Sequence, residues 1–139
     1  MAGEELPGII EFSTDLGKQE APEPLPTGNY VGLIRSVEVK MSQRDTRYAA
    51  VGFFVDASQY PADYDDGNPD GQTLTYRRVS LEDNANARYG TRRFIEALGA
   101  PLGKKIDTSE WIGCEAELEI THDPWEGVMR ANINRVRAS

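Results

Sequence analysis

Four carboxylates and one asparagine fall between Asp63 and Asp70, in the stretch Asp-Tyr-Asp-Asp-Gly-Asn-Pro-Asp-Gly. Oxygen donors at this density suit a hard cation such as calcium. Asp66, Asn68 and Asp70 stand at the first, third and fifth positions of an EF-hand-like loop, with Gly71 at the sixth. The twelfth position, where such a loop needs a bidentate Glu, is Arg77, and Pro69 interrupts the run. Asn, Asp, Gly and Pro also build turns. The stretch therefore reads as a mobile loop between two strands, with Tyr60 and Tyr64 placed to fold over a ligand. No metal site and no cofactor are expected.

Catalytic chemistry finds little support. His122 is the only histidine, beside Asp123 and Pro124, and reads as a turn residue. No zinc spacing, phosphate loop or nucleophile elbow is present. Glu115, Glu117 and Glu119 alternate along one strand face and read as solvated, so a magnesium-dependent nuclease or a calcium module stands only as a remote alternative to a non-enzyme.

A different set fits single-stranded nucleic acid, which needs cations along the phosphates and aromatic rings under the bases. Arg44, Arg47 and Tyr48 lie at a turn and the strand that follows it. Tyr76, Arg77 and Arg78 share one strand, and Trp125 and Arg130 flank a turn. Phe53 and Phe54 are adjacent and must face opposite ways in a strand. Phase with Val51 and Val55 puts Phe53 in the core and leaves Phe54 as a stacking platform. Tyr64 joins the set from the acidic loop. Arg88, Arg92 and Arg93 either line the same side or pair with Glu96.

The net charge of −8 argues against such a partner until it is divided along the chain. Residues 1–27 hold six acids and one Lys, and residues 56–72 hold five Asp and no base, so each segment carries −5. The remainder is +2, and local patches set the electrostatic footprint. Cys114 is the only cysteine, so no intramolecular disulfide can form. It reads as a buried thiol in a reducing compartment. No apolar run approaches the roughly 20 residues that span a membrane, and the acidic start shows no secretory signal.

The elements that must position these residues follow from periodicity. Residues 1–27, with Pro at 7, 22, 24 and 26, read as an acidic arm, flexible or loosely docked. Its Ile9, Ile10 and Phe12 suit docking on the domain or on a partner, or a short edge strand. From Gly28 alternation begins, with Val31, Leu33, Val37, Val39 and Met41 in one phase, interrupted by Arg35. A second strand covers 47–56 and a third 73–81. A helix is expected over 91–98, with Asp83 or Asn84 as an earlier cap and Gly99 and Pro101 as the stop. A fourth strand over 111–121 buries Ile112, Cys114, Ala116, Leu118 and Ile120. After a turn at 122–127 comes a fifth at 128–137. Five antiparallel strands with one helix between the third and fourth is the order of an OB-fold, a Greek-key barrel, here over residues 28–139.

Several segments carry a family likeness: LPTGNYVGLIRSVEV, RYAAVGFFV, RRFIEALGAP, DTSEWIGCEAELEI and GVMRANINRVR. In that order and spacing they resemble the OB-fold single-stranded DNA-binding proteins of tailed bacteriophages. The resemblance implies binding of single-stranded DNA with little sequence preference, in phage replication or recombination, in the cytoplasm of the bacterial host. The chain ends NRVRAS, without the acidic tail through which many single-strand binders recruit partners, and its acidic segment is at the other end. Replication or recombination proteins are then expected to meet the N-terminal arm, and the domain to be a monomer or homodimer. The rival on the same barrel is a protein-interaction or virion accessory domain.

Overall fold

The alternating runs pair side by side as antiparallel strands. The computed structural model describes residues 8–139, so the first seven, including the start read as lacking a secretory signal, lie outside the described residues. Strands β1 (Gly28–Met41), β2 (Arg47–Val55) and β3 (Gln72–Ser80) precede helix α1 (Ala85–Leu98), and β4 (Glu115–Trp125) and β5 (Val128–Arg137) follow it. They form one mostly antiparallel β architecture, a five-stranded sheet in the order β3-β2-β1-β4-β5. β1 is the shared strand. It pairs with β4 through Gly28–Leu33 and with β2 through Leu33–Met41. The edge strands β3 and β5 approach within 8 Å between Cα atoms, with no ladder joining them among the described residues.

The buried phase of β1 is not the one its sequence suggests. Tyr30, Gly32 and Ile34 are buried, while Val31, Val39 and Met41 are 40, 53 and 59% exposed. A bulge at Arg35, between the pairs Ile34–Phe53 and Ser36–Gly52, reverses the alternation. Val37 then turns toward the core, but Val39 and Met41 continue past its edge. β2 keeps its phase without a bulge of its own: Ala49, Val51, Phe53 and Val55 are fully buried, the outward Ala50 and Gly52 are buried as well, and Phe54 is only partly so.

Aromatic packing closes the core. Phe94 of α1 lies 6.4 Å from Phe53 and 5.4 Å from Trp111, both edge-on, and 5.7 Å from Tyr76, stacked. Trp111, expected at the start of the fourth strand, sits instead in a 3-10 turn at Thr108–Trp111 and is the largest fully buried side chain. Ile112, expected inside, is 51% exposed, and Cys114, expected buried, is half-buried, its thiol facing the Glu110 carbonyl at 3.7 Å. The strand proper begins one residue later. α1 begins earlier than the stripe of Phe94, Ile95 and Leu98 suggests, because Asn84 caps it by accepting from the Ala87 N–H. Gly99, at φ 70°, ends it. Among the described residues no helix is long and apolar enough to cross a membrane.

The acidic loop between β2 and β3, expected to be mobile, is packed. Tyr60 and Tyr64 meet edge-on at 5.2 Å, and Gln72 Nε2 donates to both hydroxyls at 3.2 and 3.3 Å. Tyr60 in turn donates to the Asn68 carbonyl. The Gln59 amide crosses to β1, accepting from Val31 N–H at 2.7 Å and donating to Val31 C=O at 2.8 Å. The calcium-like positions serve the turn and the arm. Asn68 Oδ1 accepts from Asp70 N–H, and Asp66 Oδ2 accepts from Glu23 N–H at 2.6 Å.

That last bond ties down the end of the arm. Leu25 is fully buried in the core, the Tyr30 hydroxyl donates to the Pro26 carbonyl, and His122 Nε2 lies 2.8 Å from the Leu25 carbonyl oxygen. His122 is thus a strand residue holding the arm, not a turn residue. β4 runs on to Trp125, and the hairpin turn is only Glu126 and Gly127, at φ 50° and 79°. Farther out, Ile9, Ile10 and Phe12 lie in no strand and are 94, 70 and 57% exposed.

Candidate nucleic-acid interface

Because β2 alternates without a break, Tyr48, Ala50, Gly52 and Phe54 all point away from the core. Register with its neighbours adds Ser36, Glu38 and Lys40 from β1 and Thr73, Thr75 and Ser80 from β3. The middle of this face is small side chains. A Cβ on Gly52 would strike Ser36 Oγ and stand 3.4 Å from Thr73 Cγ2, so glycine keeps the floor low. Tyr48 and Phe54, both partly exposed, stand at its two ends, six residues or roughly 20 Å apart.

Two irregularities supply its cations. Between the pairs Ala49–Val79 and Val51–Tyr76, β3 sets two residues, Arg77 and Arg78, opposite the single Ala50. This bulge brings both arginines, together with Arg47 and Tyr48, onto one groove of about 420 Å³. The groove is bordered by the Ser42–Thr46 turn, which Ser42 N–H closes on the Thr46 carbonyl at 2.8 Å and whose exposed tip includes Arg44. Arg47 N–H donates to Glu82 Oε1, pinning the turn to the end of β3.

The second irregularity is Arg35. Its guanidinium carbon lies 3.4 Å from the centroid of the Phe54 ring. Gly71 covers Phe54 as well, since any Cβ there would strike the ring. Phe54 is therefore not an open platform. The surface presented at that point is the Arg35 plane backed by the ring, and guanidinium planes also stack on bases. The Asp56 carboxyl nearby is held below its usual range, first by the Ser58 hydroxyl and N–H and also by the charge of Arg35. Among the described residues, Arg35, Arg44, Arg47, Arg77 and Arg78 have no ion-pair partner, whereas Lys40 pairs with Glu38.

Other expected contacts lie elsewhere. Tyr76 points to the inner side of β3, half-buried and stacked on Phe94, and burial raises its hydroxyl pKa. Tyr64, expected as a stacking group on a flap, is 9% exposed and part of the core. Trp125 is 58% exposed at the β4–β5 tip, with Arg130 5.9 Å from its ring. That tip lies beyond Gly28, at the opposite end of β1 from Tyr48, so the fold does not gather it with the groove. Arg88 and Arg92 are held by Asp83 and Glu96 on the helix surface. Sequence reasoning missed Arg35; its one visible signal was the break in alternation. Among the described residues no group of three or more His, Cys, Asp or Glu side chains is placed to hold a metal ion.

No protein-family model matches the chain, and no curated protein matches it.

Proposed function

We propose that the protein binds single-stranded DNA, with little sequence preference, along the outer face of β1, β2 and β3. The observation that carries this is the low floor of Ala50 and Gly52 between Tyr48 and the Arg35–Phe54 stack, with Arg47, Arg77 and Arg78 unpaired at its rim. Such a face offers stacking to any base and charge to any phosphate, and it supplies few fixed donors for reading sequence. The strand order β3-β2-β1-β4-β5, with β3 and β5 close together, supports an OB barrel left open along that seam. The sequence likeness to phage single-strand binders supports a role in phage replication or recombination in the host cytoplasm, without catalysis.

A labelled oligo-dT titrated by fluorescence anisotropy tests this. Micromolar or tighter binding is expected at low salt, preferred over duplex of equal length. Three to five phosphate contacts should give a log–log salt slope of about −2 to −3.5. No binding at micromolar protein, or no preference over duplex, sinks the proposal.

A further inference from the structure

A second cationic groove lies on the other side of β3. Helix α1, the inner side of β3 and the end of β5 enclose about 700 Å³, lined by Tyr76, Arg93, Phe94 and Arg135. Gly90 also lines it, and nothing stands within 4 Å of where its Cβ would be. The acid in its lining, Glu96, is taken by Arg92, and Arg137 at the groove is held by Glu117 and Glu119. Arg93 and Arg135 are exposed and make no ion pair within 4 Å among the described residues, although Arg135 stands across the ladder from Glu119 and its charge helps hold that carboxyl below its usual range. Arg93 also lies 6.0 Å from the ring of Tyr89, itself 60% exposed, so cation and aromatic occur together here too.

The two grooves meet at one strand. Tyr76 lines this groove and the next residue, Arg77, lines the first. The β3 edge between them has no ladder partner among the described residues. We infer that the α1–β5 groove is a second contact site for the same nucleic-acid strand, reached only by strands long enough to cross the edge of β3. This rests on the single-strand reading of the outer face. Arg93 and Arg135 would take phosphates there, and the exposed Tyr89 ring would take a base.

The test compares dT oligomers of 8 and 30 nucleotides on wild type, on R93E/R135E and on R77E/R78E, each checked by thermal melting. R93E/R135E should bind the 8-mer within twofold of wild type but the 30-mer at least about tenfold more weakly. Its salt slope on the 30-mer should be shallower by about 1.4, two phosphate contacts at about 0.7 each. R77E/R78E should lose affinity for both lengths. Wild type that binds both oligomers while R93E/R135E keeps its 30-mer affinity, or loses the two lengths equally, overturns the second groove alone. Wild type that binds neither length overturns the outer-face reading as well.

Discussion

Arg35 shows how a single side chain changes the reading of a site. In the sequence it interrupts an apolar alternation; in the structure it is the extra residue of a bulge and covers Phe54. Period two was enough to send Phe53 inward and Phe54 outward, because that split is local to one strand. The break in alternation at Arg35 is the one local sign of the bulge, and it does not say which residue is extra or that the phase reverses, so the phase of Val31, Val39 and Met41 and the position of Arg35 were out of reach. The inward turn of Tyr76 was hidden for a related reason. Its partner Phe94 is 18 residues away on a helix, and only tertiary packing brings them together. If the Arg35 plane is a stacking surface, Arg35→Ala should weaken oligo-dT binding by about tenfold, the low end to middle of one base–aromatic stack. The melting temperature should change little, since the arginine is exposed. Unchanged affinity in an anisotropy titration would remove Arg35 from the interface.

Strands were the most legible elements, since period-two runs and their turn residues lie in plain sight. The loop between β2 and β3 was not. Its composition suggests mobility, yet Gln59, Tyr60, Tyr64 and Gln72 order it through contacts that span up to 28 residues. Gly71 is the junction of this loop with β3, at φ 89° and hard against Phe54 and the Val55 carbonyl. Gly71→Ala combines a disfavoured backbone conformation with a steric clash, and should cost about 2–4 kcal/mol in chemical denaturation. A loss below about 0.5 kcal/mol would show that the loop yields easily and is not the packed element described above.

At the scale of the whole molecule, the strongly negative total conceals a division of labour. The acidic loop is packed beside β1, and it is tied to the arm by the hydrogen bond from Glu23 N–H to Asp66. Among the described residues the arginines of the outer face are left without ion pairs, while Lys40 pairs with Glu38. Net charge could not have revealed this; segment-by-segment charge came closer. The boundary between arm and domain also shifts. Composition placed it after residue 27, but the core takes in Leu25. Leu25→Ala should cost about 2–5 kcal/mol, as for other large-to-small changes in a core, read from the denaturation midpoint. A midpoint within error of wild type would return Leu25 to the arm.

The Gln59 amide bridge to Val31 has a consequence for how copies of this chain meet. Where β2 has ended, the outer edge of β1 would present one backbone donor and one acceptor, which is what an incoming strand from another molecule uses to dock. The side chain of Gln59 already occupies both. The molecule thus carries its own stopper at a gap in its sheet, and strand-by-strand polymerisation is blocked there by a single amide.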